Sequence, residues 1–110
     1  MTQEENRRPE AAEQAAADEA GLDPVAQTIL AEIAARGPGK SISPIDAARA
    51  YAAPRAKPSD PPDAWRRYLP ATRQQALHLA RAGRIAILRK GKPVDPHKPI
   101  KGVIRLALPE

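Results

Sequence analysis

A chain of 110 residues with no cysteine, no phenylalanine, one tryptophan and two tyrosines has room for one small, aliphatic-cored domain, and it excludes disulfide staples, thiol catalysis and thiolate metal sites. Its charge is split: residues 1–35 carry two Arg against eight Asp/Glu, formally −6, whereas residues 36–110 carry sixteen Lys/Arg against five, formally +11. The basic part is also the part with structural periodicity, so a polyanion is the first partner class to test, and an amino terminus without an apolar stretch, MTQEENRRPE, points to a cytoplasmic chain with no membrane span.

Residues 1–21 read as an acidic Ala/Glu-rich tail, because an isolated Ala/Glu helix without a large apolar face is marginal in water. The domain is expected over residues 22–110. Asp23 caps a first helix with Pro24 in its first turn and Val25, Ala26, Ile29, Leu30 and Ile33 on one side; Gly37, Pro38 and Gly39 end it. Residues 40–42 form a short extended link. Ser43, Pro44 and Asp46 then carry the pattern of a capping box, opening a second helix with Ile45, Ala48 and Ala52 inward and Pro54 limiting its end.

Residues 53–62, rich in Pro, Ala and Lys, read as a surface loop. A helical turn over residues 63–69 sets Trp65 and Leu69 four apart, which predicts that both face the core, with Trp65 as its aromatic anchor. Pro70 opens a third helix that runs to about Ala82 and stops at Gly83. Its apolar arc holds Thr72, Ala76, Leu77, Leu79 and Ala80, with Arg73 near the edge; the opposite arc shows Ala71, Gln74, Gln75, His78, Arg81 and Ala82. Residues 84–89 and 102–108 alternate as two strands, with Ile104, Leu106 and Leu108 as the core set of the second, and residues 90–101 make a long proline-stiffened hairpin loop between them.

This order predicts an α+β winged helix domain: three main helices plus a short two- or three-stranded antiparallel sheet, in which residues 90–101 are the wing. The interval between the second and third helices is longer than the tight turn of a strict helix-turn-helix. Beyond element order, the run RGPGKSISP at residues 36–44, Trp65 and Arg66 with Leu69 and Pro70, AGRI at 82–85, VDP at 94–96 and KGVIRL at 101–106 resembles a small bacterial winged-helix family of unknown function. The resemblance spans residues 24–109 and implies the fold; such families carry no established activity to transfer. Where they often place Cys within residues 40–44, this chain has Ser43.

The candidate nucleic-acid surface is the outward arc of the third helix, Gln74, Gln75, His78 and Arg81, together with Arg89, Lys90, Lys92, Lys98 and Lys101 around the wing. Gln pairs in two places with adenine and Arg with guanine, while His78 reads a base or a phosphate. Arg66, Arg67 and Lys40 would add backbone contacts, giving salt-sensitive binding to DNA. The competing reading is a protein-interaction module or homodimer on the same fold. Catalysis is not expected: the Gly37 to Ser41 stretch is too short and follows a helix rather than a strand for a phosphate loop, the Asp residues show no paired spacing, and Ser41 and Ser43 lack an evident base. His78 and His97, with no third ligand in view, predict no zinc site, and no cofactor is expected.

Overall fold

The computed structural model describes residues 22–109; the acidic segment 1–21 lies outside the described residues. Helix α1 spans Pro24–Arg36, strand β1 Ser41–Ile42 and helix α2 Pro44–Ala52. Two 3-10 turns, Ala53–Arg55 and Ala64–Tyr68, lead into helix α3, Leu69–Arg81. Strands β2 (Ala86–Arg89), β3 (Lys92–Pro93) and β4 (Arg105–Ala107) complete an antiparallel sheet in the order β1-β4-β2-β3. The described residues are thus α+β, with three α-helices and a sheet of four strands rather than two or three. Two short pieces account for the difference: the link at Ser41 and Ile42 adds to β4, and Lys92 and Pro93 fold back on β2.

Local chemistry sets the helix starts. The Asp23 carboxylate accepts from the Val25 backbone N–H at 2.7 Å, closing the α1 N-terminus, and Pro24 occupies a position whose N–H has no helical partner to lose. Ser43 and Asp46 form the reciprocal capping box: the Asp46 N–H donates to Ser43 Oγ at 3.0 Å, and the Ser43 N–H donates to Asp46 Oδ2 at 3.0 Å.

The core is aliphatic, as the composition requires. Across the sheet, Ile42, Leu106 and Ile87 stand in register and are all buried, forming a row that packs in one cluster with Val25, Ala26, Ile29 and Ile33 of α1 and Ala76, Leu79 and Ala80 of α3. Among the described residues the one buried polar side chain is Thr72, fully buried, whose hydroxyl donates to the Tyr68 carbonyl at 2.8 Å and so carries no unpaired donor into the interior.

Inward assignments change in α2 and in the turn before α3. In α2 the buried stripe is Pro44, Ala47 and Ala48, continued by half-buried Tyr51, an i, i+3, i+4, i+7 pattern that turns Ile45 outward, 39% exposed. Trp65 and Leu69 are both half-buried and stand outside the core cluster. Residues 64–68 wind as a 3-10 helix, in which positions three apart eclipse, so Trp65 shares its face with Tyr68 rather than with Leu69.

The region after β2 is also reorganised. Instead of one long loop, Lys90 (φ 54°) and Gly91 (φ 80°) make a two-residue turn with both residues at positive φ, closing the β2–β3 hairpin with Arg89 opposite Lys92. Pro93 is tolerated because β3 is an edge strand. Residues 94–104 then return to β4.

Candidate nucleic-acid interface

The outward side of α3 is open over its length: Gln74, His78 and Arg81 are exposed, and Gln75 is half-buried on the flank. Arg73, expected at the margin of the apolar arc, is exposed. Arg81 has a second task. Its Nε donates to the Pro96 carbonyl at 2.9 Å, which ties the last turn of α3 to the return segment.

That tie builds a groove of about 790 Å³ between α2, the Arg73, Leu77 and Arg81 flank of α3, and residues 97–104. Its floor is apolar, from Ile45, Leu77, Ile87, Ile100 and Ile104, and its polar lining includes Arg73, Arg81, His97 and Lys98 with no carboxylate. Val103 lies on its margin, 87% exposed.

The hairpin limb is equally cationic. Lys90 and Lys92 are exposed at the tight turn and hold no carboxylate among the described residues; the same is true of Lys98 and Lys101 in the return segment. Arg89 reaches across to that segment: a side chain at Gly102, whose φ is 85°, would begin 3.3 Å from Arg89 Nε. Arg89 therefore lies over the Gly102 backbone and brings the two limbs of the hairpin region together. Two side-chain links thus tie the segments that carry these residues: Arg81 holds α3 to the return segment at Pro96, and Arg89 lies beside Gly102.

Three predicted residues stand apart from this assembly. Lys40 precedes β1, at the opposite sheet edge from β3, so three strand spacings, about 14 Å, separate the two edges. Arg66 lies 3.8 Å from Asp63, and Arg67 4.0 Å from Asp60, in the segment before α3; Arg67 lines a separate pocket with Arg49, Arg55, Lys57, Trp65 and Tyr68. Arg55 and Lys57 escaped the sequence reading because they sit in a stretch that reads only as loop. A signal was present in the i, i+4 spacing of Tyr51 and Arg55, where Arg55 donates to the Tyr51 carbonyl at 2.8 Å and stacks 3.7 Å from its ring centroid.

One carboxyl group near the groove is electrostatically set. The backbone hydrogen bond from Ser43 holds Asp46 below its ordinary carboxylate value; burial opposes this, and the Ser43 hydroxyl, Arg36 and Arg105 add to the lowering. Arg105 also braces β1, donating from Nε to Ser41 Oγ at 2.8 Å and from an Nη to the Ser41 carbonyl at 2.9 Å. No group of three or more His, Cys, Asp or Glu side chains suited to a metal ion occurs among the described residues, and no helix among them is long and apolar enough to cross a membrane.

The described residues form a small α+β domain with exposed basic side chains on its third helix and on the hairpin that follows it. The chain belongs to the family described as protein of unknown function (DUF3253), whose match covers residues 22–109. No curated protein matches it.

Proposed function

We propose that the protein is a winged helix module that binds double-stranded DNA through the outward side of α3 and the hairpin that follows it, without catalysing a reaction on it. The observation that carries this reading is the tight turn at Lys90 and Gly91, which sets Arg89, Lys90 and Lys92 at the free end of a two-stranded hairpin while Arg81 anchors the returning chain, with Lys98, to α3. Four lysines without carboxylate partners among the described residues suit phosphates, whose contacts release counterions and position a protein on the duplex. Gln74 and His78 are the exposed groups on α3 that can meet base edges. Backbone binding dominates this interface, because the cations outnumber the base-reading groups.

The test is a titration of the full chain with random-sequence duplex and single-stranded DNA at two salt concentrations. Lys90→Ala with Lys92→Ala is expected to weaken duplex binding and to flatten the slope of log K against log salt by about 2, since each lost phosphate contact removes ~0.9. Duplex affinity unchanged in that double variant rejects the surface.

The protein-interaction reading has its own supporting observation in the apolar floor of the groove and exposed Val103 and Ile45. A concentration-dependent dimer disrupted by Val103→Asp, with no salt-sensitive DNA binding, would favour that reading.

A further inference from the structure

The chain has one Trp, two Tyr and no Phe, and all three rings stand at the corner where α2 runs into the 3-10 segments. Tyr51 and Tyr68 meet edge to face with centroids 5.0 Å apart. Every ring carries arginine: Arg55 lies 3.7 Å from the Tyr51 centroid, Arg49 and Arg66 lie 4.9 and 5.6 Å from that of Trp65, and Arg67 lies 5.9 Å from that of Tyr68. Tyr51 packs against the aliphatic core, whereas Trp65 and Tyr68 stand outside it.

Trp65 and Tyr68 form one wall of a pocket of about 460 Å³, within the roughly 300–1,000 Å³ common for small-ligand sites. Its charged lining is Arg49, Arg55, Lys57 and Arg67 against Asp60, four cations to one carboxylate. Asp60 orders that wall without neutralising it: Oδ2 accepts the Lys57 backbone N–H at 3.0 Å, and Oδ1 is 4.0 Å from Arg67. The pocket shares no lining residue with the groove beside α3, so it stands apart from the duplex-binding surface.

We propose that this pocket binds a nucleotide, its phosphate held by Arg55, Lys57 and Arg67 and its base laid against Trp65. Guanidinium groups suit the phosphate oxygens, and a base offers a planar face to the indole. The half-buried Asp60 selects between anions. A nucleotide brings sugar hydroxyl or base amino donors that a carboxylate can accept, whereas inorganic phosphate brings mainly acceptors to it.

Trp65 is the sole tryptophan, so indole fluorescence of the full-length chain reports on this pocket directly. The expected result is saturable quenching by adenosine 5′-monophosphate, with adenosine and inorganic phosphate each binding at least about tenfold more weakly. Arg55→Gln and Lys57→Gln, at exposed positions, are each expected to weaken the nucleotide about tenfold, ~1.4 kcal/mol, while far-UV circular dichroism and duplex affinity stay unchanged. Oligonucleotides with and without a 5′-phosphate identify the source. Preference for the phosphorylated one assigns a strand end, equal binding of both above the mononucleotide assigns an internal nucleotide, and a mononucleotide as tight as either assigns a free nucleotide. Absence of saturable quenching by the mononucleotide and both oligonucleotides up to millimolar concentration overturns the proposal, as does unaltered binding in the Arg55→Gln, Lys57→Gln double variant. Equal quenching by a glutamate-rich peptide also overturns it and assigns the pocket to an acidic protein partner. The Lys90→Ala, Lys92→Ala protein separates the two readings, since its nucleotide quenching is expected to persist whatever becomes of its duplex affinity.

Discussion

Arg81 and Pro96, fifteen residues apart, are joined by a hydrogen bond of 2.9 Å from the guanidinium Nε to the carbonyl oxygen. The bond crosses from the last turn of α3 to a segment that contributes no strand until residue 105. It holds the return loop to the helix beside the groove that Arg81 lines.

Arg81→Gln should therefore loosen the loop more than it destabilises the domain. The bond is exposed, so its loss is expected to cost about 1 kcal/mol or less in global stability. Amide exchange at His97 and Lys98, whose N–H groups bond to Asp95, should accelerate while the α3 amides keep their protection. Uniform acceleration throughout the domain would show that the bond holds more than the loop.

Ser43→Ala removes half of the capping box at the α2 start and should cost ~1 kcal/mol by chemical denaturation at neutral pH. The same box makes Asp46 sensitive to acid. Because its folded value lies below the ordinary 3.8, the unfolded chain takes up its proton first as pH falls. The Asp46 contribution is complete above 3.8 and is lost as pH drops from there through the folded value. The stability difference between the native chain and Asp46→Asn should accordingly shrink across that acid range and stay level between pH 5 and 7, as followed by denaturation midpoints; a difference that grows on acidification contradicts the sign.

Gly102→Ala should destabilise by ~1–2 kcal/mol, and mainly through its backbone. The φ of 85° disfavours any Cβ, whereas the 3.3 Å approach is to the far end of the Arg89 side chain, which can shift. A double-mutant cycle with Arg89→Ala is expected to show coupling below about 0.5 kcal/mol. Larger coupling would place the cost in the guanidinium contact instead.

Much of the scaffold was legible because its signals are local. Asp23 with Pro24, and Ser43 with Pro44 and Asp46, are adjacent groups whose hydrogen bonds follow from spacing alone, and both caps stand where that spacing puts them. The i, i+4 arc through Thr72, Ala76 and Ala80 likewise identifies a buried face before any partner is known, whereas in β4 both Leu106 and its neighbour Ala107 are buried, so alternation there marks only part of the covered surface. Ile45 and Trp65 were misplaced for a complementary reason. An apolar residue beside a helix start fits more than one register, and a segment as short as residues 64–68 carries too few periodic positions to tell 3-10 from α winding.

For the candidate surfaces, the sequence by itself determined the sign and strength of the charge, the basic residues 36–110, and the exposed character of Gln74 and His78, since each follows from composition or helical period. Only the tertiary structure decided which cations stand together. It joined Arg81 to the return loop, laid Arg89 over Gly102, kept Lys40 at the far sheet edge, and gathered Arg49, Arg55, Lys57 and Arg67 around Trp65. The reason is physical: charge and periodicity are properties of residues near one another in the chain, whereas convergence depends on contacts between residues far apart in it, which form only when the core has set the elements in place.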